Sequence, residues 1–249
     1  MAAIYDDLAS RYHLIYADWE ASIARQGEAI DRVSRARWGS DVRRVLDVSC
    51  GVGTQALGLA ARGLDVTGSD LSTTAIERAR REASMRGLDI RFSVGDMRDA
   101  NTLHGGGFDL VISVDNSVPH LLTDEDIGRA LGGMHACLRP GGGVLISVRD
   151  YEVEERGRGL VKPFGVREVE GRRVVIFQVW DFDGDHYDFG MYFVEEEAGC
   201  EAATHVMRSR YYAISTERLM ELMREAGFED VERLDDVLHQ PVLVGTRAS

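Results

Sequence analysis

The spacing of hydrophobic residues changes character twice along the chain. Residues 1–40 are polar and follow a helical pattern with interleaved aromatic side chains. From residue 44 onward, short apolar runs alternate with helical segments, which is typical of parallel strands covered by helices on both faces. The predicted strands are Arg44–Ser49, Leu64–Ser69, Ile90–Val94, Phe108–Val114 and Val144–Val148. The predicted helices between them are Thr54–Arg62, Thr73–Met85 (with Ser72 as its N-cap) and Asp124–Leu138.

Alternation with a period of two begins after the fifth predicted strand. Four segments show it: Phe164–Val169, Arg172–Phe182, Tyr187–Glu196 and Ala203–Tyr212. Glu-Gly, Asp-Gly and Ala-Gly pairs separate them, and Asp-Gly between alternating runs is a strong signal for a hairpin. The pattern therefore predicts an antiparallel sheet inserted late in the chain. A helix, Ser215–Ala226, and two strands, Phe228–Leu234 and Pro241–Thr246, complete the prediction.

These elements predict an α/β fold with two attachments. We expect a mostly parallel, Rossmann-like sheet in a main domain formed by residues 44–150 and 213–249. Residues 1–43 are expected to form a helical lid, and residues 151–212 an antiparallel β cap. With 249 residues, 44% of them hydrophobic, the chain is long enough for one large domain that carries such an insert.

Composition narrows the classes of partner. The net charge of −13 argues against nucleic acid, because phosphate backbones are bound by clustered Lys and Arg. No apolar run reaches the roughly 18 residues of a membrane span and no signal peptide is recognisable, so we expect no membrane partner. Three scattered cysteines fit a reducing cytoplasm better than a disulfide scaffold. A small molecule is the expected partner, and a homo-oligomer is compatible with the sequence.

A glycine-rich turn follows the first predicted strand in VLDVSCGVGTQA, residues 45–56. Gly51 and Gly53 allow a tight turn and a close approach to a ligand at the N-terminus of the next helix. The stretch satisfies the G-x-G-x-x-G/A fingerprint of dinucleotide-binding folds. Asp70 follows about 20 residues later, where a ribose-binding acid is expected. This motif alone leaves a nicotinamide cofactor open.

Two further acids argue against a nicotinamide cofactor. Asp47 lies within the strand, where a carboxylate repels a pyrophosphate but suits a ligand with an ammonium group. Asp96 follows the third strand, where it can accept a hydrogen bond from an adenine amino group. Together with Asp70, these acids fit an adenosine that carries an amino-acid tail and no phosphates.

The run of motifs resembles class I S-adenosylmethionine-dependent methyltransferases. VLDVSCGVGTQALGLAARGLDVTGSDLS is similar to the first two motifs of that family, and VGDMRD, FDLVIS and LRPGGGVLIS are similar to later ones. The resemblance implies a Rossmann-like methyltransferase sheet and S-adenosylmethionine as the cofactor. It assigns the methionine end to Asp47, Gly51 and Gly53, the ribose to Asp70, and the adenine to Leu71, Asp96 and Met97.

Some positions of this region fit the family pattern less directly. Ser49 stands where most family members have glycine. We also assign Tyr12, Cys50 and Val114 to the cofactor site. The simplest interpretation of Cys50, however, is a small residue that fits the turn.

Shorter motifs in the flanks resemble glycine N-methyltransferase and the related glycine/sarcosine methyltransferases. DNSVPHL, SVRDYE and RSRYYAIS occur in the same order as that family's motifs, with Asp115 where the family has glycine. Tyr16, Asp18 and Arg25 resemble N-terminal residues that close over the cofactor carboxylate in that family. The resemblance implies that Arg149, at the end of a buried strand, clamps a carboxylate of the methyl acceptor.

The same resemblance also implies which residues form the acceptor site. The residues expected to act in catalysis are Asn116, Arg149, Tyr16 and Tyr211. Those expected to bind the acceptor are Asn116, His120, Arg149, Tyr151 and Tyr212. Three alternatives stay open: Arg149 in an ion pair with Asp150 or a cap acid, His120 as a base or as a partner of backbone groups, and one of the two tyrosines, Tyr211 or Tyr212, pointing inward.

These observations predict an enzyme that moves a methyl group from S-adenosylmethionine to the amine nitrogen of a small amino acid such as glycine or sarcosine. An alternative is a methyltransferase for another small molecule, such as a natural-product hydroxyl or amine. A nicotinamide-dependent oxidoreductase or a non-catalytic cofactor-binding module fits Asp47 and Asp96 less well. No metal is expected, because residues 181–192 lack the EF-hand glycine and glutamate and no zinc-ligand spacing occurs.

Overall fold

The computed structural model describes residues 9–249; residues 1–8, with the part of the expected lid that falls on them, lie outside the described residues. The strands of the described part are β1 (Arg44–Asp47), β2 (Asp65–Asp70), β3 (Arg91–Val94), β4 (Phe108–Ser113), β5 (Leu138–Ser147), β6 (Leu160–Val169), β7 (Arg172–Asp183), β8 (His186–Glu196), β9 (Ala203–Tyr212), β10 (Phe228–Leu234) and β11 (Val242–Arg247). They form two separate sheets.

Seven strands form the central sheet in the order β10-β11-β5-β4-β1-β2-β3. From β5 to β3 all neighbours are parallel, whereas β10 and β11 run antiparallel at one side. The Rossmann-like, mostly parallel α/β fold expected from the sequence is therefore confirmed. Because parallel strands end at the same edge of a sheet, the turns that follow β1 to β5 gather at one edge.

The helices of the described part are α1 (Trp19–Trp38), α2 (Thr54–Ala61), α3 (Thr73–Met85), α4 (Ala100–His104), α5 (Asp124–Cys137) and α6 (Thr216–Glu225). Short 3-10 turns occur at Tyr12–Ile15, Met97–Asp99 and Val118–Leu121. Four helices begin with a side chain that accepts a hydrogen bond from a backbone N–H in the first turn: Asp18, Ser72, Thr123 and Ser215. Among residues 9–249, no helix combines the length and apolar character needed to cross a membrane.

Both faces of the central sheet are covered. Leu46 and Val111 point into one hydrophobic cluster, and their neighbours Val45 and Leu110 point into the other. All four side chains are fully buried. This arrangement explains why the strands of this sheet are near-continuous apolar runs rather than alternating ones.

The four strands β6-β7-β8-β9 form an antiparallel sheet in chain order, which agrees with the alternating pattern of residues 164–212. Its inner face carries Ile176, Trp180, Tyr187, Phe189 and Met207. These side chains belong to the same hydrophobic cluster as Leu46. The sheet therefore packs onto the main domain as a cap rather than standing apart from it.

Most element ends shift by a few residues from the sequence prediction, and two of the differences have a clear physical reason. Within residues 9–40 the predicted helical pattern becomes a 3-10 turn followed by α1, because Asp18 caps a helix that starts only at Trp19. β5 begins at Leu138 rather than Val144, so the glycine segment between them lies in the strand. Gly143 is needed there, since a Cβ atom would overlap the ring of Trp38 from α1.

α1 and α2 approach each other through a glycine pair, which leads to a stability prediction. A Cβ atom on Gly27 would lie 2.5 Å from the backbone of Gly58, so Gly27→Ala must push the two helices apart. We expect a loss of about 1–3 kcal/mol in the free energy of unfolding, measured by chemical denaturation.

Gly132→Ala is the matched control. Gly132 is an exposed residue inside α5 whose added Cβ meets nothing within 4 Å. Alanine there should stabilise the protein by about 0.5–1 kcal/mol through helix propensity alone. Equal effects of the two substitutions would contradict the close helix contact.

Candidate active site

A cavity of about 640 Å³ opens at the edge of the sheet where β1 to β5 end. Its size is that of a typical small-molecule site. The wall after each strand contributes Ser49 and Gly51, Asp70 and Leu71, Asp96 and Met97, Asp115 and Asn116, and Arg149. The cap contributes Gln178, Phe189, Met191, Met207 and Tyr211, and the N-terminal part of the described chain contributes Tyr12, Tyr16 and Arg25. The cavity therefore brings together most of the residues that the sequence singled out.

The glycine turn is held by the acid at the end of β2. Gly51 and Gly53 adopt left-handed φ angles of +53° and +97°, which glycine tolerates best. The Gly51 N–H donates to one carboxylate oxygen of Asp70 at 2.9 Å, and the Ser72 N–H donates to the other at 3.0 Å. These bonds fix the Asp70 carboxylate beside the turn, at the wall of the cavity.

Asp47 is a fully buried acid at the end of β1. Its Oδ1 accepts the Ser49 N–H at 3.2 Å, but Oδ2 has no hydrogen-bond partner among the described residues. Burial raises the pKa of this carboxyl to about 8; the hydrogen bond from the Ser49 N–H opposes this rise, and the nearby Asp70 and Asp115 add to it. Asp47 lies behind Ser49 rather than on the cavity wall. A buried carboxyl oxygen without a partner among the described residues suits a ligand that brings a cationic or hydrogen-bond-donating group.

Three residues assigned to the cofactor also lie behind the wall. Cys50 packs near Gly68, Gly53 contacts Leu57, and Val114 is buried in the same hydrophobic cluster as Cys50. Cys50 is buried beside the turn and does not line the cavity.

The edge of the cavity after β3 is held by an ion pair. Asp96 Oδ2 lies 2.6 Å from Arg98 Nη2, and Arg98 also reaches Asp126 at 3.1 Å. Burial opposes the charge of Asp96, but the hydrogen bonds from Arg98 lower its pKa overall. Asp96 is thus a fixed, ionised hydrogen-bond acceptor, with Met97 next to it on the same wall.

Asn116 organises the opposite end of the cavity. Its backbone is left-handed at φ +63°, and the side chain is 2% exposed. Oδ1 accepts the Arg149 backbone N–H at 3.0 Å, and Nδ2 donates to the Tyr151 hydroxyl at 2.7 Å. Tyr151 is buried beneath the wall and hydrogen-bonds Tyr187 at 3.1 Å, so it supports the site without lining it.

The guanidinium of Arg149 faces the cavity from aromatic surroundings. Nη1 donates to the Tyr187 hydroxyl at 3.0 Å, and the guanidinium carbon lies 4.7 Å from the centre of the Trp180 ring. The suggested ion pair with Asp150 is not formed, because Asp150 binds Arg233 at 2.8 Å instead. Within residues 9–249 no ion pair to Arg149 occurs, so an anionic ligand can supply its counter-charge.

The two adjacent tyrosines of β9 separate as strand geometry requires. Tyr211 points inward and packs against His120, with ring centres 4.0 Å apart and ring planes tilted by 38°. Tyr212 points outward and stacks on His186, so we no longer assign it to the acceptor pocket. Burial lowers the pKa of His120 to about 3, so its imidazole is neutral and a weak base at physiological pH.

The N-terminal segment covers the cavity near Asp115. The Tyr16 hydroxyl donates a hydrogen bond to Asp115 Oδ2 at 2.7 Å, and the centre of the Tyr12 ring lies 6.2 Å from the centre of the Tyr16 ring. Arg25 is exposed at the cavity and donates to Ser22 at 3.1 Å. The residues placed here by the resemblance thus meet at one side of the cavity.

Comparison with known proteins connects this geometry to a family. Residues 45–142 match the family model described as a methyltransferase domain. Glycine/sarcosine N-methyltransferase from Parasynechococcus marenigrum (strain WH8102) is 32% identical over 147 residues, covering 59% of this chain and 51% of that protein. A dTDP-3-amino-3,4,6-trideoxy-alpha-D-glucopyranose N,N-dimethyltransferase from Streptomyces venezuelae is 31% identical over 140 residues, covering 56% of each protein. These matches span about half the length of the curated relatives.

The fold extends the similarity to the whole chain. The crystal structure of Streptomyces venezuelae DesVI superposes with a TM-score of 0.84 at 25% identity, covering 96% of this chain and 98% of that chain. Residues 45–142 are a methyltransferase domain. This methyltransferase domain contains Asp47, Asp70, Asp96 and Asn116, whereas Arg149 lies beyond its end.

Several residues around the methyltransferase domain escaped the sequence analysis. Gln178, His239 and Gln240 line the cavity from the cap and from the loop before β11. Their positions depend on how the cap folds back, and no local motif announces them. Tyr187 had a usable signal, because it shares the inward parity of Phe189 in an alternating strand.

The buried carboxyl of Asp47 predicts a pH-dependent stability for the ligand-free protein. An unfolded Asp has a pKa of about 3.9, so between about pH 4 and pH 8 the folded state binds more protons at this group. Asp47 therefore lowers stability as pH rises through that range. Asp47→Asn removes the effect. The melting temperature of the variant, relative to that of wild type, should therefore rise between pH 5 and pH 8.

Asp41→Asn serves as the control, because Asp41 is exposed at the surface. Its stability relative to wild type should stay constant over the same range. A constant difference for Asp47→Asn as well would show that the carboxyl is ionised throughout.

Proposed function

We propose that the chain is an S-adenosylmethionine-dependent N-methyltransferase for a small acceptor that carries an amine and an anionic group, with a small amino acid such as glycine or sarcosine as the first candidate. The methyltransferase domain supports the reaction class and the cofactor. The observation that carries the acceptor is Arg149, which faces the cavity without an ion-pair partner among the described residues.

The cavity wall and the residues behind it suit each part of the cofactor. Asp47, behind the wall, has a carboxyl oxygen without a partner among the described residues near the glycine turn, which suits the α-ammonium group of the methionine end. Asp70, held by backbone N–H groups, suits the ribose hydroxyls, and Asp96 with Met97 suits the adenine edge. Arg25 stands at the cavity for the methionine carboxylate. When bound, S-adenosylmethionine supplies a methyl group already activated by its sulfonium.

The protein's own residues chiefly orient the acceptor. Arg149 offers a planar guanidinium for bidentate binding of a carboxylate, and the Trp180 face and Tyr187 hydroxyl hold it in place. Phe189 and Met207 line the cavity from the cap with apolar surface. Holding the two reactants in one cavity supplies the proximity and orientation that such a transfer needs.

An amino sugar linked to a nucleotide is the second candidate acceptor. The superposition with DesVI includes the cap, which covers the acceptor side of the cavity. The Streptomyces venezuelae relative named for a dTDP-linked amino sugar is almost as similar in sequence as the glycine/sarcosine enzyme. Such an acceptor has an amine and anionic phosphates, so it satisfies the same charge requirement.

An acceptor screen with labelled S-adenosylmethionine separates these candidates. Glycine, sarcosine and dimethylglycine test the first, and a dTDP-linked amino sugar tests the second. Transfer to a simple amine without an anionic group, at equal efficiency, would remove the role proposed for Arg149. If none of the amines tested is methylated, the proposed function itself is contradicted.

Arg149→Lys is predicted to raise the acceptor KM by about 10- to 100-fold, because an ammonium cannot reproduce the bidentate contact. Cofactor affinity, measured by calorimetry, should stay within about threefold. Arg156→Ala is the control, since Arg156 is an exposed cap residue paired with Asp185. An unchanged acceptor KM in Arg149→Lys would refute the clamp.

Asp70→Ala is predicted to weaken cofactor binding by at least 10-fold, because it removes both the ribose acceptor and the bond to the Gly51 N–H. Calorimetry with S-adenosylmethionine measures this directly, and NAD should show no binding to wild type. Asp65→Ala, in the same strand but exposed at its other end, is the control. Wild-type affinity in Asp70→Ala would overturn the ribose assignment.

A further inference from the structure

Asp115 is an acid on the wall of the cavity, next to Asn116 in the chain. It follows β4 with a left-handed φ of +57°, a backbone conformation that is unfavourable for most non-glycine residues. Its backbone N–H donates to Ser147 Oγ at 2.8 Å, which holds the turn. A strained acid at a cavity wall calls for a functional reason.

The two carboxylate oxygens of Asp115 differ in their hydrogen bonds to the described residues. Oδ2 accepts hydrogen bonds from the Tyr16 hydroxyl at 2.7 Å and from Gln55 Nε2 at 3.0 Å. Oδ1 is shielded from solvent and has no hydrogen-bond partner among the described residues. One oxygen is thus anchored while the other is left for a ligand. Such a buried acceptor without a donor is rare in native proteins.

Asp115 lies between the two halves of the cavity. Gln55, which binds it, belongs to the helix that starts directly after the glycine turn. The next residue, Asn116, accepts the backbone N–H of Arg149. A group bound at Asp115 therefore sits between the cofactor turn and the proposed acceptor clamp, where the two reactants must meet.

The other charged and titratable groups around Asp115 come from four parts of the chain. They are Tyr12 and Tyr16 from the N-terminal segment, Asp47 from β1, Arg149 after β5, and His239 from the loop before β11. Burial raises the pKa of both tyrosines, so they remain protonated. His239 Nδ1 lies 4.0 Å from Oδ1 and its side chain is 61% exposed, so it connects this oxygen with solvent.

We infer that Asp115 binds the acceptor amine through Oδ1 and acts as its general base, an inference that rests on the proposed N-methyltransferase function. The acceptor enters as an ammonium ion, which the carboxylate attracts. One N–H bond breaks, its proton forms an O–H bond with Oδ1, and the electron pair stays on nitrogen. That lone pair is what methyl transfer requires, and the proton leaves toward solvent past His239.

Asp115→Asn tests the inference, because asparagine tolerates the left-handed backbone and keeps the Tyr16 contact. We expect the acceptor kcat/KM to fall by about 100- to 10,000-fold, as for loss of a general base. Acceptor affinity, measured by calorimetry with S-adenosylhomocysteine present, should fall at least 10-fold. Asp188→Asn, an exposed cap acid paired with Arg210, is the matched control and should match wild type.

The pH profile gives a readout that a merely structural role would not move. Wild-type kcat/KM should show a plateau in which carboxylate and ammonium react as a pair. In Asp115→Asn only the free amine reacts, so kcat/KM should rise about tenfold per pH unit up to the pKa of the amine. An unchanged plateau in the variant would overturn the inference.

Asp115→Gly supplies a second test, since glycine fits φ +57° without strain and leaves room for an external base. Added formate should restore part of its rate, with no effect on wild type; no restoration would contradict the base role. A tenfold loss of S-adenosylmethionine affinity in both variants, with unchanged acceptor kinetics, would place the cofactor ammonium at Asp115 instead. If wild type methylates no amine at all, the proposed function fails, and not this assignment alone.

Discussion

The amide of Asn116 is the interaction on which the acceptor half of the site depends. Through Oδ1 it fixes the backbone of Arg149, and through Nδ2 it fixes Tyr151, whose hydroxyl meets Tyr187 of the cap. One side chain thereby ties the ends of β4 and β5 to β8. Two consecutive left-handed residues, Asp115 and Asn116, are needed to place it, and each costs roughly 1 kcal/mol or more. Buried hydrogen bonds offset that strain.

The acids around the cavity differ in how many hydrogen bonds their carboxyl oxygens accept from the protein. Asp96 is fully committed to Arg98, and Asp70 accepts two backbone N–H groups. Asp47 accepts one, and Asp115 leaves one oxygen without a hydrogen bond within residues 9–249. The first two carboxylates are held in fixed orientations, whereas the last two each keep one buried oxygen without a hydrogen bond among the described residues. An acidic wall of this kind disfavours a pyrophosphate, because like charges repel each other.

The sequence predicts the fold and the cofactor half better than the acceptor half. Gly51, Asp70 and Asp96 lie within a few residues of strand ends, so their relative positions follow from parallel pairing alone. Tyr212 was wrongly assigned because alternation shows that only one of two adjacent tyrosines points inward, but not which one. Gln178 and His239 were missed since only the folded cap and the β10–β11 return bring them to the cavity. Contacts between segments that are far apart in the chain leave no local signal in the sequence.

Arg149 and Asp115 offer one cation and one anion at the cavity, and both proposed classes of acceptor carry one group of each charge. Glycine joins its ammonium and carboxylate through one carbon, whereas a dTDP-linked amino sugar separates its amine from its phosphates by a sugar ring. Both present one cation and one anion, so a wall with one acid and one guanidinium accepts either pattern of charge. On this proposal the discriminating quantity is the distance between the two charges, and Trp180 and Tyr187 of the cap hold the guanidinium of Arg149 at one end of that distance. The proposal therefore assigns acceptor choice to the cap rather than to the methyltransferase domain.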